Sequence, residues 1–193
     1  MHKKHPKFKP CAPASQFTID YFRKNAVKTP RPDKCLFYTA GLSNVAKLHA
    51  KKNGFITIWD IWAGQHMRWE PYQLDNPMRC IIAPDLPKNS GNRNPVRQKY
   101  FETMSTAMAS MCSGKVTVMD RNLKAGTHGR IKQAGIWGHN EFPRLVKDGK
   151  TTSIDAIGMF NDTDASTKVR WDNWWLPGQQ GWGNDATRPG TLL

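Results

Sequence analysis

Acidic residues are scarce in this chain and long apolar runs are missing. Lys and Arg outnumber Asp and Glu by 29 to 15 across 193 residues, a formal charge of +14. Such a balance attracts phosphates, nucleic acid or an anionic cell surface without choosing among them. No block of Lys and Arg reads as a nuclear-localisation signal or polybasic anchor. No apolar stretch approaches the ~20 residues of a transmembrane helix. The opening His2-Lys3-Lys4-His5 lacks the apolar core of a signal peptide, so the expectation is that any secretion signal has been cut off or never existed. The four cysteines form no C-x-x-C pair, which removes zinc-ribbon and thioredoxin-like readings. G-x-S-x-G and H-E-x-x-H are also missing, and no cysteine has a matching His motif, so nucleophilic and zinc-protease chemistry have no support. His2, His5 and His49 read as exposed or satisfied histidines rather than ligands, and no metal site is expected. No internal repeat is present.

What is there is a folding composition: 38% hydrophobic residues and eight tryptophans, enough for one core. A single domain over 1–193 is expected, with an extended N-terminal arm at 1–16 and an irregular, Trp-rich tail at 171–193. Four scattered cysteines suggest two disulfides in an oxidising compartment, with free buried cysteines as the alternative. The triplet Asn161-Asp162-Thr163 is an N-glycosylation acceptor that fits a secretory route.

Along the chain, Phe17 to Val27 reads as a short helix stopped by the prolines that follow. Cys35-Leu36-Phe37-Tyr38 is followed by a helix from Ser43 to Lys52, closed by Asn53-Gly54. Phe55 to Trp62 is apolar around one acid, Asp60, which needs a partner or a role. Asp75 to Asn94 is loop. Pro95 then opens a helix whose face is Val96, Tyr100, Met104, Ala107, Met108 and Met111. Lys115–Met119 and Ser153–Phe160 read as buried strands. A glycine-rich stretch, Gly126 to Gly138, leads from the first of them into His139-Asn140-Glu141-Phe142-Pro143.

Nucleic-acid binding is disfavoured, because the aromatics cluster in apolar runs instead of interleaving with Lys and Arg as a stacking platform does. Those aromatics instead surround two acids: Tyr38 and Asp60, then Phe101, then Trp137 just ahead of Glu141. Alone, Glu141 reads as a surface acid before a turn-forming proline and Asp60 as a helix or strand cap.

The register of these residues resembles the ADP-ribosyl cyclase family. Tyr38 and Asp60 keep the separation between the family's first active-site Trp and the Asp of its T-L-E-D-T-L-x-G run, and Thr57-Ile58-Trp59-Asp60-Ile61-Trp62-Ala63-Gly64 holds Thr, Asp and Gly in place. Asn94-Pro95-Val96 to Met119 is similar to the family's N-P-V…F-W-x-x-x-S helix and following strand, with Phe101 on the second active-site Trp and Ser105 on the Ser. Trp137 to Leu145 looks like F-G-x-x-E-x-x-x-L, which sets Glu141 on the catalytic Glu. The three blocks cover much of 35–160; the arm and tail match nothing in the family.

The resemblance implies an α/β fold, a helical half packed on a half with a small parallel sheet, with the active site in the cleft between them. It implies cleavage of NAD or NADP at the nicotinamide–ribose bond to give nicotinamide and ADP-ribose, with cyclic ADP-ribose as an alternative product. NAD is then substrate, and no cofactor is needed. Departure of nicotinamide leaves an oxocarbenium-like ribose, so one carboxylate near C1′, here Glu141, is the central requirement. Tyr38 and Trp137 would hold the cationic ring, with Phe101 beside them. Asp60 would accept the carboxamide N–H, and Ser105 and Thr39 would donate to the pyrophosphate. The family's disulfides imply Cys35–Cys112, leaving Cys11–Cys80.

Three departures qualify the likeness. Trp59-Asp60 stands where the family has Glu-Asp, removing an acid associated with partitioning between hydrolysis and cyclisation. Tyr38 and Phe101 replace two tryptophans, and Ala40 stands where some members have Arg. The expected setting is secreted, or delivered as a toxin into a target cell, with an anionic surface or an inhibitor protein as further partners. A basic nuclease-like toxin and a non-enzymatic surface-binding effector are the competing readings; the first lacks a His acid–base pair.

Overall fold

Short strands buried on both faces build the centre of the molecule. The computed structural model describes residues 13–39, 41–67, 95–121, 123, 131, 134–159, 168–179 and 191–192. Strands β1 (Cys35–Tyr38), β2 (Gly114–Asp120), β3 (Thr151–Met159), β4 (Lys168–Trp175) and β5 (Thr191–Leu192) form one sheet in that order. β1, β2 and β3 run parallel, the small parallel sheet that was expected. β4 and β5 extend it antiparallel, so the whole sheet is mixed.

Period-two alternation assigns each strand two faces. Leu36, Met119 and Ile157 point to one side, where they meet Leu42, Val45, Ala46 and Ala50. These last residues belong to helix α2 (Ser43–Asn53) or its N-cap, and the helix ends at Gly54 in the left-handed region, φ 68°, as its Asn-Gly terminus predicts. Phe37, Val116, Val118, Ile154 and Ala156 point to the other side, into the larger core. That side is covered by α1 (Ile19–Lys24), α3 (Ile58–Ile61), α4 (Gly64–Met67), α5 (Pro95–Met111) and α6 (Phe142–Lys147).

Helix α5 matches its apolar pattern. Tyr100, Met104, Ala107 and Met108 are buried, whereas Val96 at the helix start is 40% exposed. The Phe17–Val27 segment is helical only from Ile19 to Lys24, because Thr18 caps it by accepting from the Tyr21 N–H and fixes its start. Cys112, just past α5, is bonded to Cys35 at the start of β1 with Cα atoms 6.0 Å apart, the pair the resemblance implied. Cys11, Cys80, the glycosylation triplet, the first twelve residues of the arm, the 75–94 loop and most of the glycine-rich stretch lie outside the described residues.

The irregular tail expected from Trp171 onward is corrected over its first part, which is strand β4. Its pattern hid the strand because Asn173 adopts φ 52° and the pairing with β3 shifts between Ile154 and Ala156. The resulting irregularity lets Trp171, Trp174 and Trp175 all be buried, which strict alternation would forbid. Asp155 on β3 stabilises the distortion. Fully buried, it accepts from the Asn173 N–H at 2.9 Å and the Arg170 guanidinium at 2.7 Å, satisfying a charge that would otherwise be costly inside. Farther along β3, Gly158 lacks the Cβ that would overlap the Leu123 carbonyl, so the chain after β2 can cross close to the sheet.

Candidate active site

The Phe55–Trp62 run, undivided by its apolar pattern, is split by backbone pairing. Ile56 joins the edge of β1, with its N–H donating to the Lys34 carbonyl at 2.7 Å and the Leu36 N–H donating to its own carbonyl at 2.9 Å. Thr57 then caps α3: its hydroxyl accepts from the Trp59 N–H. The Asp60 carboxylate accepts from the Thr57 N–H at 2.8 Å and hydroxyl at 2.9 Å, completing a capping box. At the far end Trp62 donates its indole N–H to the Phe22 carbonyl at 2.8 Å, tying α3 to α1. This short helix is thereby fixed with Trp59 directed toward the end of β1.

A second unusual segment lies before α6. Residues Trp137–Glu141 form a π-helical turn, with the Phe142 N–H donating to the Trp137 carbonyl. Such wide turns occur often at functional sites. Pro143 falls in the first turn of α6, where its missing N–H costs nothing. The proline therefore starts a helix rather than a surface turn, and Glu141 before it is 7% exposed.

These segments meet around a cavity of about 520 Å³. Its wall includes Tyr38 and Thr39 from the end of β1, Trp59 from α3, Phe101 and Ser105 from α5, Asp120 and Arg121 from the end of β2, and Trp137 and Glu141 from the π turn. The site thus sits at the carboxyl ends of two parallel strands, where open α/β sheets bind ligands. Six of the seven anticipated site residues come together here. Asp60 does not line the cavity, since its carboxylate is engaged in the capping box.

Burial dominates the electrostatics. It pushes the Glu141 carboxyl up to about 8, against the opposing effect of a hydrogen bond with Ser105, so the acid is largely protonated at neutral pH in the free protein. Burial likewise raises the Tyr38 hydroxyl to about 12; the hydrogen bond from Trp59 works against this rise, and the charge of Glu141 adds to it. The Trp59 indole N–H donates to the Tyr38 hydroxyl at 2.6 Å. Lys47 lies over the Trp59 ring, 4.6 Å from its centroid, a cation–π contact that supports the ring. Trp137 is almost wholly buried, packed at 5.7 Å from Phe37 and 5.8 Å from Phe142.

Sequence reasoning missed Trp59, Asp120 and Arg121 as wall residues. The signal for the last two was available, since they directly follow the predicted strand Lys115–Met119 and so fall at a strand's carboxyl end. Trp59 registered only as a lost acid. Among the described residues, no cluster of three His, Cys, Asp or Glu side chains could hold a metal ion.

Comparison with solved structures gives matches at low identity. The Aplysia cyclase complexed with the substrate NGD and the product cGDPR is similar with a TM-score of 0.46 at 17% identity. An ADP ribosyl cyclase complexed with N1-cIDPR gives 0.47 at 18%. Both matches span 70% of this chain and 52% of the other, so this chain corresponds to about half the length of those proteins. Apo porcine CD38 gives 0.41 at 18% identity over 77% of this chain and 60% of that one. No family model and no curated protein matches the chain.

Proposed function

We propose that the chain cleaves NAD or NADP at the bond between nicotinamide and ribose, with Glu141 as the catalytic carboxylate. The observation that carries this reading is a buried acid held by Ser105, in a cavity walled by Tyr38, Trp59, Phe101 and Trp137. Flat aromatic walls suit a cationic ring, and a desolvated carboxylate interacts strongly with positive charge that develops next to it.

In the reaction the C1′–N bond breaks and its electron pair leaves with nicotinamide, which becomes neutral. The ribosyl carbon acquires oxocarbenium character opposite Glu141. Entry of the cationic ring favours the ionised carboxylate, so the proton held in the free enzyme is released as substrate binds. Water then adds to C1′ and loses a proton, giving ADP-ribose; capture by the adenine ring gives the cyclic product instead. Tyr38, fixed by Trp59, borders the ring pocket, while Thr39 and Ser105 supply hydroxyls along the rest of the substrate.

The Cys35–Cys112 disulfide supports an oxidising, extracellular setting. No described helix is long and apolar enough to cross a membrane. Incubating the purified chain with NAD and separating the products by chromatography tests the activity. Nicotinamide with an equal amount of linear or cyclic ADP-ribose is expected, and intact NAD after prolonged incubation would overturn it.

A further inference from the structure

We infer that Arg121 anchors the pyrophosphate of the dinucleotide at the mouth of the cavity, an inference that rests on the NAD reading above. NAD is electrically divided: its nicotinamide ring is cationic and its two phosphates are anionic. The cavity is divided in the same way. Glu141 lies buried among aromatic rings, and Arg121, an exposed residue immediately after β2, carries the only fixed positive charge on the described wall.

The guanidinium is placed by the turn after β1. Its Nη2 donates to the Gly41 carbonyl at 3.4 Å, and Gly41 has φ 84° with no side chain; a Cβ there would stand 2.7 Å from that same Nη2. Glycine thus meets two requirements at one position: a left-handed backbone and the space the guanidinium occupies. The arginine fork carries five N–H donors in a geometry suited to two phosphate oxygens at once. Thr39, two residues before Gly41 and also on the wall, adds a hydroxyl on the same side.

The test compares substrates with and without the pyrophosphate, using Arg121→Ala and Arg121→Lys. For NAD, Arg121→Ala is expected to raise KM about tenfold or more with kcat little changed, and Arg121→Lys to recover part of the loss. Cleavage of nicotinamide riboside, which has no phosphate, is expected to be the same in all three proteins. Calorimetry with ADP-ribose supplies a readout independent of turnover, with about tenfold weaker binding expected for Arg121→Ala. Unchanged ADP-ribose affinity, or an equal loss on both substrates, would overturn the assignment of Arg121. A parent chain that binds ADP-ribose through Arg121 yet releases no nicotinamide would overturn the proposed activity alone. A parent chain that does not bind ADP-ribose overturns both.

Discussion

The Trp59 indole and the Tyr38 hydroxyl are joined by a 2.6 Å hydrogen bond that fastens α3 to the end of β1 on the cavity wall. Tyr38 replaces an indole expected from the cyclase resemblance, and Trp59 replaces an acid. The two changes meet in one contact, so they are read best as a pair.

Trp59→Phe and Tyr38→Phe should therefore each loosen the ring pocket by about 1 kcal/mol, the net worth of a neutral hydrogen bond, raising KM for NAD several-fold. The double variant should be no worse than either single one. Steady-state kinetics on the four proteins measure this coupling, and strictly additive losses would show that the two side chains act separately.

Glu141 imposes a pH dependence on stability. Its carboxyl titrates at about 8 in the folded chain against an ordinary value of 4.5. Below 4.5 it is protonated in both folded and unfolded chains. As pH rises from there the unfolded chain ionises first, so the stability contributed by the neutral buried acid declines and is gone above about 8. Thermal melts of the parent and Glu141→Gln should consequently diverge in the variant's favour between pH 4.5 and 8 and run parallel above it. In catalysis, kcat/KM for NAD should rise with pH toward a midpoint near 8, whereas the midpoint of kcat should be lower because the bound cationic ring favours the carboxylate.

Asp60 illustrates what the sequence pattern could and could not supply. The cyclase resemblance implied a substrate contact for it, yet its carboxylate closes the capping box of α3. Asp60→Ala should cost about 1 kcal/mol of stability and reduce NAD cleavage only through the resulting displacement of Trp59. Chemical denaturation measures the first effect. An undiminished stability together with a large rise in KM would return Asp60 to the substrate.

Helix α5 and strands β2 and β3 were legible because α5 buries one regular face and the two strands are short runs buried on both sides of the sheet. Trp137 and Glu141 were legible only through the resemblance of their block to the cyclase F-G-x-x-E-x-x-x-L, and no pattern revealed the π turn that carries them. The β4 strand was not legible: Asn173 breaks its alternation, and the acid that holds the break, Asp155, lies on a different strand. Trp59 was seen only as a substitution, since its function as a wall depends on a hydrogen bond to a residue distant in sequence. Arg121 could have been found from its place after a parallel strand, but its relation to Gly41 exists only in three dimensions.

The Cys35–Cys112 bond closes a loop with a sequence separation of 77 and ties the residue after α5 to the start of β1. Its removal by Cys35→Ser with Cys112→Ala should cost about 2–4 kcal/mol, read as a lower denaturation midpoint in urea. A midpoint unchanged by the double substitution would show that the bond contributes no stability.

The most direct test of the account is nicotinamide release from NAD by the parent chain and by Glu141→Gln, which preserves the shape of the side chain and removes its charge. Release by the parent and at least about a hundredfold lower kcat in the variant, with ADP-ribose still bound, is the expected result. Equal release by the two proteins would contradict the assignment of Glu141 as the catalytic carboxylate.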